Sequence, residues 1–128
     1  MGETSVNIVL VSDRPWDLGE FLQALEQEST VRIVDRANAT RAVAWEGPVD
    51  LAVIHAGASG QGNGDSARFA LVEELLRVNA MINTAVCSAL RPEDFHEQSE
   101  GLGILAQLPP SPGAEDARTL LDRLRSLA

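Results

Sequence analysis

Val49-Asp50-Leu51-Ala52-Val53-Ile54-His55, followed by the glycine-rich run from Ala56 to Gly64, is the stretch on which the reading of this chain turns. Six of its seven residues fit a buried strand, because the apolar run does not alternate with polar residues and therefore suits a strand covered on both faces. It ends on an imidazole, His55. The function depends on what His55 does there and on which groups surround it.

Upstream of this stretch, Val6 to Val11 is a second near-continuous apolar run of the same kind. Ser12-Asp13-Arg14-Pro15 interrupts it, and Pro15 suits the first turn of a helix, where its missing N–H costs nothing. Leu18, Phe21, Leu22 and Leu25 recur at helical spacing through about Gln27. Thr30 to Val34 alternates as a shorter strand, and Asn38 to Ala44 is a weaker helix ended by Gly47-Pro48.

Downstream, Asp65-Ser66 offers a helix cap, and Phe69, Val72, Leu75, Leu76 and Met81 or Ile82 mark a buried stripe on a helix ending near Asn79. Thr84 to Ser88 is a fourth strand. Arg91 to Gly101 is polar, with Phe95 its one large apolar residue, and is the weakest helical segment. Ile104 to Leu108 is a fifth strand, stopped by Pro109-Pro110 and Pro112. From Ala114 the residues Ala117, Leu120, Leu121, Leu124 and Leu127 give a closing amphipathic helix. Strands alternating with helices through short connections predict an α/β fold, a parallel sheet wrapped on both faces, in one domain spanning 1–128. In such a sheet a ligand site lies at the carboxyl ends of the strands. Those ends carry Ser12, Asp13, His55, Ser88 and Leu108.

Composition narrows the function. A formal charge of −9 argues against non-specific nucleic-acid binding and against a polybasic membrane anchor. No apolar run approaches the roughly 20 residues that span a bilayer, and no basic segment followed by an apolar core opens the chain. The single Cys87 cannot form an internal disulfide, so a cytoplasmic location is expected. All 10 basic residues are Arg. A G+C-rich genome is the plain reading of that bias; its chemical consequence is that no P-loop, Schiff base or lysine general base can form.

The order of these segments resembles the response-regulator receiver domain of the chemotaxis-regulator type. Ile8-Val9-Leu10-Val11-Ser12-Asp13-Arg14-Pro15 is similar to that family's first strand and acidic turn. Asp50 to His55 resembles the strand ending on the phosphoacceptor. Ala85-Val86-Cys87-Ser88-Ala89 resembles the strand ending in a hydroxyl residue and alanine, and Leu105-Ala106-Gln107-Leu108-Pro109 the segment that should end in Lys-Pro. The resemblance runs from Val6 to Leu127. It implies a flavodoxin-like three-layer sandwich with five parallel strands in the order 2-1-3-4-5, and a role in bacterial two-component signalling.

The same resemblance exposes a deficit. Asp13 matches the second acidic position and Ser88 the hydroxyl position, but Ser12 replaces the first acid, His55 the acceptor and Leu108 the lysine. Aspartyl phosphorylation needs a carboxylate nucleophile, a hard cation held by oxygens and a positive group on the phosphoryl oxygens. The expectation is a pseudo-receiver without cofactor or metal site. It would act by protein–protein contact, with itself as a homodimer or with another protein, through the Arg91–Leu127 face.

Other readings stay open at this point. His55 is a neutral strand-end imidazole bonded to backbone, Ser12 or Ser88, or a pH-responsive group whose charged form Asp13 favours, or a catalytic or phosphoryl-accepting histidine. The loop residues Gly57, Ser59, Gly60, Gly62 and Gly64 are a flexible cover, or an anion-binding loop that with His55 and Arg14 forms a small-molecule or anion sensor, although Asp65 would repel an anion. An enzyme on this scaffold would recruit Ser59 or Ser88 with His55 and Asp13, but Ser59 lies in no Gly-x-Ser-x-Gly elbow. Trp16 is expected to pack at the start of the first helix near the site mouth, and Trp45 to sit in a turn. Cys87 is expected to be buried, and Glu93, Asp94, Glu97 and Glu100 to form a solvated face.

Overall fold

The computed structural model describes residues 6–45, 49–55 and 64–127. Its strands are β1 (Val6–Val11), β2 (Ser29–Val34), β3 (Leu51–Ile54), β4 (Asn83–Cys87) and β5 (Ala106–Leu108). The helices are α1 (Gly19–Glu26), α2 (Ala39–Trp45), α3 (Gly64–Val78), α4 (Pro92–Gln98) and α5 (Ala114–Arg125). All five strands are parallel, in the order β2-β1-β3-β4-β5, as the resemblance implies.

The apolar runs in β1, β3 and β4 are continuous because each strand feeds two cores. Ile8, Leu10, Leu51, Val53, Ala85, Cys87 and Leu108 face α1 and α5. Val9, Val11, Ala52, Ile54 and Val86 face the layer of α2, α3 and α4. The two sets differ by one residue along each strand, which is the period of a pleated sheet. On the first face Phe21 and Leu25 of α1 meet Leu120, Leu121 and Leu124 of α5. The end of that layer is tied by an ion pair of 2.7 Å between Arg125 and Glu28. On the other face Phe95 sets its ring edge-to-face on Phe69, with centroids 5.3 Å apart, and this contact anchors the otherwise polar α4. The segment Arg91–Gly101 therefore does contain a helix.

Three expectations need correction. Pro15 opens a 3₁₀ turn, Pro15–Leu18, and α1 begins only at Gly19. That turn carries Trp16 outward, 69% exposed, so the indole does not pack against the first helix. Of the two candidates to close the stripe of α3, Ile82 is buried and Met81 is 87% exposed. Leu127 lies past the last turn of α5 and is 56% exposed, so the apolar stripe of that helix stops at Leu124.

Strand β5 is shorter than the run Ile104–Leu108. The preceding turn runs through Gly101 and Gly103, both at positive φ, and the ladder starts only at Ala106. Val49 and Asp50 also precede the β3 ladder. The Asp50 carboxylate instead accepts from the Asn7 N–H at 2.8 Å, and the Asp50 N–H donates to the Asn7 carbonyl at 2.8 Å. The loop residues Gly57, Ser59, Gly60 and Gly62 lie outside the described residues, as do the side chains of Trp45, Asp65 and Ser66; Gly64 is the first residue of α3.

Candidate functional site

Register places the central pair of the site. Val11 stands opposite Ile54 in the β1–β3 ladder, so the next residues in each chain, Ser12 and His55, come side by side at the carboxyl edge. The His55 N–H continues the ladder with a bond of 2.9 Å to the Val11 carbonyl, and the Ser12 N–H bonds the Val34 carbonyl of β2 at 3.0 Å. With both backbones fixed, the Ser12 Oγ lies 2.8 Å from His55 Nδ1. The same Oγ accepts the Arg14 N–H at 3.0 Å.

The Ser12 hydroxyl and the His55 ring thus join the ends of β1 and β3, and the tautomer of the ring sets which of the two donates. The Pro110 backbone, in the turn between β5 and α5, favours the protonated imidazole.

Burial lowers the pKa of His55 from 6.5, and this effect outweighs the carboxylates. Asp17 opposes it most strongly, Arg68 reinforces it, and Asp13 opposes it more weakly than Asp17. Of the readings open for His55, the net direction is toward the neutral ring; Asp13 does favour the charged form, but burial outweighs it. Asp13 itself is exposed. Asp17 is engaged by Arg14, with Nε 3.0 Å from Oδ2.

Ser88 extends β4 by one residue through its N–H bond of 2.9 Å to the Leu108 carbonyl. Its hydroxyl accepts the Leu90 N–H at 3.1 Å. The Gln107 amide then donates to the Ser88 and Leu90 carbonyls at 3.2 and 2.8 Å, fixing the β4–α4 turn to β5. Leu108 is only 4% exposed and packs in the core against α1 and α5. Cys87, the last residue of β4, is buried, and burial pushes its thiol up to about 12. Among the described residues no group of His, Cys, Asp and Glu is placed to hold a metal ion, and no helix is long and apolar enough to cross a membrane.

Four groups that matter here did not stand out in the sequence. Asp17 lies four positions after Asp13, a spacing that returns it to the same edge. Gln107 is the polar residue inside the apolar run Leu105–Leu108, and that interruption was its signal. Arg68 reaches the site from α3, and Pro110 contributes backbone; neither carries a sequence signature.

A parallel sheet in this order between two helical layers, with its site at the carboxyl ends of β1, β3 and β4, is the flavodoxin-like fold of receiver domains. Solved structures agree. The non-phosphorylated receiver domain of HemR from Leptospira biflexa superposes with a TM-score of 0.73 at 20% identity, over 97% of each chain. A response-regulator receiver protein from Methanospirillum hungatei gives 0.73 at 15% identity, over 96% of each chain. A Burkholderia thailandensis protein provisionally described as a pilus assembly protein gives 0.67 at 17% identity, over 94% of this chain and 98% of its own. No protein-family description and no curated protein matches the sequence. At such identities the likeness establishes the fold.

Proposed function

We propose that this chain is a pseudo-receiver: a non-enzymatic signalling or regulatory module that acts by protein–protein contact and accepts no phosphate on aspartate. One observation carries the reading. The position of the acceptor holds His55, whose Nδ1 is already bonded to Ser12 Oγ at 2.8 Å. The supporting groups point the same way. Leu108 puts an aliphatic chain into the core where an amine should meet phosphoryl oxygens, and Asp13 is left as the lone acid of the pair Ser12-Asp13.

The partner is a protein, and the surface is the Arg91–Leu127 face. A second copy of the chain is the partner we test first: α4 presents Glu97 and Glu93, the latter held by Arg91 at 2.8 Å, and α5 presents Arg118 and Arg123 beside Glu115 and Asp122, all exposed. The setting we favour is a bacterial cytoplasm. The similar structures include response-regulator receivers and a protein described in connection with pilus assembly, so both signalling and assembly are pathways in which to seek the partner.

The test is direct. The protein is incubated with acetyl phosphate and Mg²⁺ and its intact mass measured, and beryllofluoride binding is followed by fluorine NMR. Neither should produce an adduct. A stoichiometric acyl phosphate, or a tightly held beryllofluoride, overturns the reading. Multi-angle scattering then gives the mass in solution, with a charge-reversed Glu93→Arg/Glu97→Arg variant lowering any dimer fraction.

A further inference from the structure

We propose that the free edge of β2 docks the β2 strand of a second copy of this chain, the two pairing antiparallel about Val31 and joining their sheets. The Arg91–Leu127 surface lies at the other end of the sheet, beside β5, so the two contacts are separate and do not compete.

Register shows which backbone groups stand at that edge. β2 is the outermost strand of the order β2-β1-β3-β4-β5, and its six residues pair with β1 from Val6↔Ser29 to Val11↔Val34 without a bulge. In a parallel ladder the N–H and C=O of one residue point to the same side, and successive residues alternate. The Val34 carbonyl accepts the Ser12 N–H, so Val34 points its groups at β1, and Arg32 and Thr30 do the same. β1 keeps the same alternation: the Asn7 and Val11 carbonyls turn the other way, to the N–H groups of Asp50 and His55. Ser29, Val31 and Ile33 therefore face outward. Among the described residues no hydrogen bond takes the outward N–H and C=O of Val31 or Ile33.

The sequence of the strand leaves this edge unguarded. Edge strands that stay single are commonly blunted by lysine, proline or a bulge. Ser29-Thr30-Val31-Arg32-Ile33-Val34 carries no lysine and no proline, and four of its residues are β-branched. At the opposite edge β5 has three residues and runs straight into Pro109-Pro110. Val31 and Ile33 lie on the same face as Ile8 and Leu10; Val31 packs on that core, whereas Ile33 is 41% exposed. An added strand gains main-chain bonds from such an edge and a contact for alternate side chains.

The register that satisfies the edge is self-complementary. Centred on Val31, two antiparallel copies set Val31 opposite Val31 and Ser29 opposite Ile33 on either side, so every outward residue of both strands is paired. Arg32 then stands across from Thr30 of the second copy, and no like charges lie directly opposite. Neighbouring registers do worse. Centring on Arg32 opposes Arg32 to itself, which disfavours pairing. Centring on Thr30 sets Ile33 against Gln27, whose N–H already bonds the Gln23 carbonyl. Centring on Ile33 sets Val31 against Asp35, whose carbonyl already accepts the Asn38 N–H.

The full-length protein is tested from micromolar to millimolar concentration by sedimentation velocity and by amide hydrogen exchange, both as it stands and as Glu93→Arg/Glu97→Arg, which weakens any contact through the other face. In both, the mass should rise toward twice that of one chain. The amides of Val31 and Ile33 should slow with concentration, while those of Arg32 and Val34 are slow throughout. Ile33→Pro removes an outward N–H and no bond to β1, so it should abolish this association and leave the protection of β1 intact. The proposal is overturned if the mass stays that of one chain, if association leaves the Val31 and Ile33 amides unprotected, if it survives Ile33→Pro, or if it vanishes in Glu93→Arg/Glu97→Arg. Outward amides protected only by an added foreign peptide would also overturn it. Should Ile33→Pro fail to fold, the exchange pattern of the unsubstituted protein decides alone.

Discussion

The Ser12 hydroxyl and the His55 imidazole stand 2.8 Å apart at the ends of adjacent parallel strands. A pair fixed this way by strand register links the stability of the fold to the protonation of one ring. Burial holds the pKa of His55 below 6.5. The unfolded chain, whose histidine titrates at the ordinary value, therefore binds the proton more readily than the native state.

The sign of the pH dependence follows. Above 6.5 the ring is neutral in both states and contributes no slope. As the pH falls from 6.5 through the lower native value, the unfolded chain takes up the proton first and stability declines; below the native value the contribution levels off. Urea unfolding at pH 7.5 and 5.5 should show a loss of stability in the native protein that is smaller in His55→Asn. His96 is present in both, so the difference between them isolates His55. Equal losses would mean that the ring is not held neutral by the fold.

Cys87 should be chemically silent in the folded protein. It is 2% exposed and its thiol is pushed up to about 12, so at pH 8 neither access nor thiolate is available. Ellman's reagent should label the native protein only at the rate of unfolding and label it fully in concentrated urea. Prompt labelling without denaturant would show that β4 opens locally.

The closing helix separates what a sequence pattern reveals from what it does not. Leu120, Leu121 and Leu124 follow helical spacing and are buried; Leu127 continues the same spacing but lies past the last helical turn. Replacing Leu120 by Ala should cost about 2–5 kcal/mol, as buried leucine truncations do, while Leu127→Ala should stay within roughly 0.5 kcal/mol of the parent. Thermal or urea unfolding of the two variants makes the comparison.

The same logic explains how far the sequence could be read. The continuous apolar runs of β1, β3 and β4 require cover on both faces, and that requirement alone yields a parallel sheet with helices on each side. The adjacency of Ser12 and His55 was also legible, since both follow strands that pair in parallel. Trp16 was misplaced because apolar character does not compel burial, and because Pro15 opens a 3₁₀ turn with a different angular step from an α-helix. Arg68 and Pro110 act on the titration of His55 through tertiary structure, one from α3 and one from the β5–α5 turn, and no local pattern encodes such influences. At His55 the neutral imidazole bonded to Ser12 is one of the readings the sequence leaves open, and the desolvation that favours it depends on tertiary structure.

Gln107 offers the sharpest test of how the site is held. Its amide donates to the Ser88 and Leu90 carbonyls at 3.2 and 2.8 Å, and these bonds join the β4–α4 turn to β5. Without them the turn still has the bond from the Leu90 N–H to Ser88 Oγ and the bond from the Ser88 N–H to the Leu108 carbonyl. In Gln107→Leu the side chain retains similar bulk but leaves two carbonyls without their donor, a loss of about 1–3 kcal/mol for half-buried groups. Much of that loss should appear locally, because α4 is anchored separately by Phe95 on Phe69 and the β4–β5 ladder continues through backbone bonds. Hydrogen exchange in Gln107→Leu should therefore quicken for the amides of Ser88 and Leu90 while protection in β1 and β3 changes much less. Uniformly faster exchange would place Gln107 among the residues that support the whole sheet. Unchanged exchange at the turn would show that the amide does not restrain it.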